Sequence, residues 1–291
     1  LASVLRQHGY RTGLFHSGRF MYLGMDAAIQ NRGYDTLEDA GAIGGDRDSS
    51  FGIDEPSTVR RILRWIDERP SGQHFLVSYL PIAGHHPYQT PERGPFPDTS
   101  DIDRYRNALH YADAALGELL DGLRVRGLEQ QTLFVIFGDH GEAFGQHQGN
   151  FGHTLFLYEE NVRVPYLIIV PGQDWGQRIH RIASLVDTAP TVLDLLRLPI
   201  PAGYQGRSLL DGRSDLALFC TEYTLGLLGL RDGRWKLIHE LESGRSLLYD
   251  LETDPNEQQD VSADQPERTS AYQQHLLRWA AAQKYRLNRP Q

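Results

Sequence analysis

Apolar positions along the chain fall into two textures. In residues 57–69, Val59, Ile62, Leu63 and Ile66 recur at helical spacing between Pro56 and Pro70, which predicts an amphipathic helix starting after Pro56. Residues 75–80 are a short apolar run and read as a strand. In residues 101–126, Ile102, Tyr105, Leu109, Ala112, Leu116, Leu119 and Leu123 mark a second helix, closed by Gly127. Residues 133–137 and 164–170 are further strands, the first read as buried and stopping at Gly138. Helix and strand alternate with short connections, the pattern of a parallel sheet covered on both faces. Beyond residue 203 the runs shorten to 216–221, 227–231 and 234–239, the last two joined by the hairpin signal Asp232-Gly233. An amphipathic helix over 267–285 follows. The expected fold is therefore α/β: a mostly parallel central sheet flanked by helices over residues 1–203, then a small C-terminal α+β subdomain over 204–291 with an antiparallel sheet and a helix. Two glycine- and proline-rich stretches, 41–52 and 81–97, are long enough to serve as lids or walls.

Charge narrows the partners. The 291 residues carry 29 basic against 38 acidic side chains, a net charge of −9, with no basic run. Nucleic acid is excluded as an expected partner, because a polyanion calls for a clustered positive face. No stretch of about 18 uninterrupted apolar residues occurs, so no transmembrane segment is expected within the chain. The single cysteine, Cys220, rules out an internal disulfide and is expected to be a packed, unreactive side chain. The chain opens at Leu1 inside a helical pattern, which reads as a fragment whose N-terminus lies upstream.

The chemistry concentrates in residues 138–165. Asp139 and His140 stand immediately after a strand, where ligands collect in open α/β sheets, and His147 and His153 follow within fifteen residues. A carboxylate and an imidazole there can face one cation, with the glycines letting the backbone turn away. Imidazole suits zinc or manganese better than calcium, which prefers oxygen donors. Gly84-His85-His86-Pro87-Tyr88 follows the strand 75–80 at the same kind of strand end. If that segment is extended, His85 and His86 point in opposite directions.

The 138–165 stretch resembles the sulfatase branch of the alkaline phosphatase superfamily, in which Asp-His or Asp-Asn after a core strand binds the catalytic metal. The likeness extends to Tyr158–Pro165, to Val186-Asp187-Thr188-Ala189-Pro190-Thr191, and to the runs 230–238 and 248–257. It implies a metal-dependent sulfatase that hydrolyses a sulfate ester, with Asp139 and His140 as metal ligands. It also implies one divalent cation, calcium by family, with manganese or zinc as the alternatives that His140 leaves open. The family's His-x-Pro element selects His85 to contact the ester or protonate the leaving oxygen. His153 stands where many sulfatases carry a sulfate-binding lysine, and Glu142 and His147 would orient ligands. Phe15-His16-Ser17-Gly18 looks more like the polyglycerolphosphate synthases and offers His16 as a substrate contact. The family nucleophile, a Cys or Ser in Cys/Ser-x-Pro-x-Arg matured to formylglycine, is absent, and Cys220 stands in the wrong motif. Formylglycine is thus expected upstream of Leu1, and the fragment alone is expected to be inactive. The runner-up is a phosphoglycerol or phosphoethanolamine transferase acting on a phosphate ester; a third reading is a non-catalytic binding module. An extracytoplasmic or periplasmic location is compatible with the resemblance.

Overall fold

The computed structural model describes residues 1–47, 51–173, 176–212 and 216–288. Part of the predicted 41–52 loop, residues 48–50, lies outside the described residues, as do the last three positions of the chain. The chain forms two compact units: residues 1–133 with 170–173, and residues 134–169 with 174–291.

The first unit begins with α1 (Ala2–Gln7), β1 (Arg11–His16), α2 (Met25–Ile29), β2 (Thr36–Glu38) and α3 (Ala40–Ile43). It continues with α4 (Glu55–Asp67), β3 (Phe75–Leu80) and α5 (Asp101–Val125). The three strands make a parallel sheet of order β2-β1-β3, with Gly13 opposite Thr36 on one side and Val77 on the other. α4 starts earlier than the periodicity suggested. Asp54 caps it by accepting from the Ser57 N–H, and Pro56 sits inside the first turn, where no hydrogen bond is lost. Its apolar stripe, Val59, Ile62, Trp65 and Ile66, is fully buried. The Trp65 ring meets Phe15 of β1 edge-on at 5.5 Å. Burying an indole of this size contributes on the order of 4–6 kcal/mol. A Cβ at Gly13 would stand 2.7 Å from the Phe15 ring and 3.0 Å from the Trp65 ring, so the packing of this aromatic pair requires glycine there.

The second unit holds β4 (Phe134–Phe137), β5 (Ala143–Phe144), β6 (Phe151–Gly152), α6 (Glu159–Val162), β7 (Tyr166–Ile169) and α7 (Thr188–Leu195). It ends with β8 (Leu216–Thr221), β9 (Leu227–Asp232), β10 (Trp235–Glu240), β11 (Ser246–Asp250) and α8 (Pro266–Leu287). Two expectations need correction here. β4 and β7 pair antiparallel rather than in parallel, and β4 is half-buried, with Phe137 exposed. A two-stranded ribbon cannot cover both of its faces. The predicted C-terminal hairpin is present and extends into a four-stranded antiparallel sheet, β11-β10-β9-β8. One face of that sheet packs Leu228, Leu230, Leu237 and Leu248 under Leu276 of α8. On its other face Leu227, Ile238 and Tyr249 pack against Leu157, Tyr158 and Val162. Cys220 is exposed rather than packed: it stands opposite Leu228 on the face that α8 covers, but β8 is the edge strand of the sheet. Partial burial and the nearby Glu222 carboxylate push its thiol pKa up, which disfavours the nucleophilic thiolate. Among the described residues, no helix is long and apolar enough to cross a membrane.

Candidate functional site

β4 ends at Phe137, and the chain turns through Gly138 into Asp139-His140-Gly141-Glu142. Neither Gly138 nor Gly141 has a positive φ, so conformational freedom is not why glycine is needed here. Gly141 lies flat against α6: its N–H donates to the Asn161 carbonyl at 2.8 Å, and a Cβ would stand 2.1 Å from the Glu160 carbonyl oxygen. Close backbone packing therefore fixes the loop that carries His140 and Glu142.

His140, Glu142 and His153 each offer a ligand atom, and these lie within 4.8 Å of one another. That is close to the roughly 4 Å spanned by two ligands on opposite sides of one ion. The His140 Nδ1–H donates to the Gly141 carbonyl at 2.9 Å, which turns Nε2 into the acceptor. Asp139 stands beside it, with Oδ2 3.6 Å from His140 Nε2 and a side chain that is 84% exposed. His153 Nδ1 bonds Glu142 Oε2 at 2.7 Å, and its ring stacks on His140 at 3.9 Å. The Glu142 carboxylate holds the His153 pKa above the usual imidazole value; partial burial works against it. Two imidazoles with carboxylates make a donor set that fits a divalent cation of the zinc or manganese kind.

His147 is placed differently. Its Nδ1 bonds Glu160 at 2.6 Å, its Nε2 lies 3.2 Å from both the Glu257 carbonyl and the Gln258 amide, and its ring stacks on Tyr158 at 3.6 Å. These bonds tie the loop to the C-terminal segment; the expected orienting role toward Asp139 or His140 finds no hydrogen bond here. The carboxylate that does bond a cluster histidine is Glu142.

In the first unit, His16 is the last residue of β1, its Nδ1 bonded to the Leu80 carbonyl at 2.9 Å and its ring stacked on Phe20. His85 lies beyond β3. The segment is not extended: the His85 N–H donates to Ile82 and the Tyr88 N–H to His85, each at 2.9 Å, so residues 82–88 form successive turns. Both His85 and His86 consequently line one cavity of about 530 Å³, shared with Arg47, Phe51, Gln89 and Tyr111. A buried carboxylate beneath the same cavity, Glu55, carries no motif. The sequence around it reads only as a helix start, and a side chain whose importance comes from tertiary contacts leaves no periodic signal.

A family model for sulfatases matches residues 1–198. Arylsulfatase K of Bos taurus is 30% identical over 250 residues, 76% of this chain and 46% of that protein. The lipoteichoic acid synthase-like protein YvgJ of Bacillus subtilis is 25% identical over 225 residues, 72% of this chain and 36% of that protein. The chain thus spans about half the length, or less, of these curated relatives. A solved structure in complex with its substrate, D-glucosamine-2-N,6-O-disulfate, superposes with a TM-score of 0.77 at 17% identity, covering 99% of this chain and 82% of the other. The fold is accordingly the alkaline phosphatase-like α/β fold of the solved sulfatases. With the model match covering more than half of its residues, the chain belongs to the sulfatase family.

Proposed function

We propose that the protein is a metal-dependent sulfatase that hydrolyses a sulfate ester. The observation that carries this reading is the donor set of His140, Glu142 and His153, with Asp139 beside it, on a loop within the family-matched residues. Residues 1–203 form the catalytic core in this reading, and 204–291 its antiparallel companion. Asp139 and His140 hold the cation, with the Glu142 carboxylate flanking the set; the imidazole of His140 favours manganese or zinc over calcium. When bound, the cation offsets the negative charge of the ester oxygens. His153, held by Glu142, donates to a terminal oxygen of the sulfate group. The family resemblance assigns to His85 contact with the ester or protonation of the leaving oxygen, and to His16 a substrate contact. No Cys/Ser-x-Pro-x-Arg occurs in residues 1–291, so the covalent nucleophile is assigned no residue here.

A phosphoglycerol or phosphoethanolamine transferase is the second reading, favoured by the paired histidines His140 and His153 and by the YvgJ match. The test assays the whole gene product and residues 1–291 side by side on a chromogenic sulfate ester and a chromogenic phosphodiester, with calcium, manganese or zinc supplied. The expected result is sulfate-ester turnover by the whole product, reduced at least a hundredfold in His140→Ala, and none by residues 1–291. Preference for the phosphodiester would overturn it in favour of the transferase. Metal and sulfate binding without turnover of either ester would make the protein a binding module.

A further inference from the structure

We propose that Glu55 is the positioning residue for His85, a role that rests on His85 acting at the ester as proposed above. Glu55 opens α4, yet its side chain faces inward and the residue is only 1% exposed. Its carboxylate collects donors from two strand ends. Oε1 accepts the backbone N–H groups of Ile82 and Ala83 at 2.8 and 2.9 Å. Oε2 accepts the Tyr79 hydroxyl at 2.5 Å and the Ser17 hydroxyl.

These partners occupy particular places. Ser17 follows His16 at the end of β1, and Ile82 and Ala83 follow the end of β3. Residues leaving a parallel sheet lose their ladder partners, so their N–H groups need another acceptor once buried. Glu55 is that acceptor. The Ile82 carbonyl then receives the His85 N–H at 2.9 Å, so His85 is anchored one turn away from the carboxylate. The clamp continues beneath the cavity: the Glu55 N–H donates to the Tyr111 hydroxyl at 3.2 Å, and burial pushes the Tyr111 pKa up to about 12. Glu55 does not itself reach the reacting atoms in this assignment; it fixes where the imidazole at the cavity wall sits.

The chemistry of the four donors dictates the contrast to test. In Glu55→Gln the amide oxygen can stay on the two backbone N–H groups, while the NH₂ group donates to the hydroxyl oxygens of Ser17 and Tyr79. In Glu55→Leu the volume is kept but both N–H groups lose their acceptor. Glu55→Asp keeps the charge and loses the reach of one methylene. Ile62→Ala, in the buried stripe of the same helix, destabilises the unit without touching the clamp.

The experiment labels histidine rings with ¹³C in the protein and follows the His85 cross-peak, assigned by its loss in His85→Ala. Glu55→Gln should leave the peak in place, Glu55→Leu and Glu55→Asp should shift or broaden it, and Ile62→Ala should not move it. In the whole gene product, kcat should fall at least tenfold in Glu55→Leu, with KM within about threefold of wild type, and be retained in Glu55→Gln. If Glu55→Leu does not fold, Glu55→Asp decides. An unmoved His85 peak in the folded Leu or Asp variant, or an equal shift in Ile62→Ala, overturns the proposal. Unchanged turnover in His85→Ala would instead defeat the catalytic role of His85, while the ring signal still decides the positioning.

Discussion

Replacing Lys236 by methionine should expose the strongest electrostatic dependence in the C-terminal sheet. The ammonium is fully buried on β10, 2.8 Å from Glu257 and 3.1 Å from Glu159. Unit charges about 2.8 Å apart attract by about 6 kcal/mol at an effective dielectric of about 20. That attraction offsets desolvation costs of several kcal/mol per ion. Methionine keeps the apolar stem but leaves the buried Glu257 carboxylate with the Glu159 N–H, at 2.5 Å, as its remaining hydrogen bond. Breaking one side of such a pair costs about 3–5 kcal/mol. Protonation limits the loss. Burial already pushes the Glu257 pKa up while Lys236 opposes it, so removing Lys236 raises it further. A carboxylate with a raised folded-state pKa binds its proton more tightly when folded, so stability returns as pH falls through that pKa. Urea unfolding followed by intrinsic fluorescence should therefore show a loss of about 3–5 kcal/mol at pH 8, or roughly 6–20 °C in Tm. The loss should shrink toward pH 5, and Lys236→Met/Glu257→Met should recover most of it. A loss under about 1 kcal/mol, a loss independent of pH, or a double variant no better than the single one would refute the reasoning.

His239 and Gly141 provide two further tests. His239 is buried on β10, and burial holds its pKa below the usual imidazole value. The unfolded chain therefore takes up the proton first: this contribution is complete above about pH 6.5 and erodes below it. His239→Asn should flatten the fall in Tm between pH 7.5 and pH 5, and an unchanged slope would count against the assignment. Gly141→Ala drives a methyl group into the Glu160 carbonyl and should cost about 1–3 kcal/mol. It should also weaken manganese or zinc binding by about 10- to 100-fold in calorimetric titration, through displacement of His140 and Glu142. Affinity equal to wild type would mean that the loop does not set the cluster.

Elements whose residues meet their neighbours at a regular period were legible. The strands 75–80 and 216–221, read as apolar runs, and the helix at 101, read from its spacing, are found where the sequence placed them. β1 and β2 were missed: Arg11, Thr12, Gly13 and the short Thr36–Glu38 run show no apolar alternation, and pairing with neighbours makes them strands. The antiparallel β4–β7 pairing could not be read either, since direction leaves no mark on an apolar run. At the candidate site, Asp139, His140 and His153 were visible as residue types after a strand. Glu142 was assigned only an orienting part, yet its carboxylate stands among the possible ligand atoms as well as bonding His153. Glu55 and Glu160 were invisible, because their partners are 24 to 38 and 10 to 13 residues away in sequence and lie on no common period.

The single turn of α6 connects two halves of the second unit. Its adjacent carboxylates serve different neighbours: Glu159 takes Lys236 and Arg231 from the C-terminal sheet, while Glu160 takes His147 and Asn150 from the histidine-bearing loop. Asn161 accepts the Gly141 N–H through its carbonyl, and His147 reaches on to residues 257 and 258. The C-terminal sheet is thereby a buttress for the loop and cannot be pruned like an ornament. A shortened protein ending near residue 203 would keep every proposed metal ligand yet lose the abutment against which α6 braces them. With both faces of that sheet covered, Lys236, Glu257 and the turn at Glu159 must change in concert or not at all.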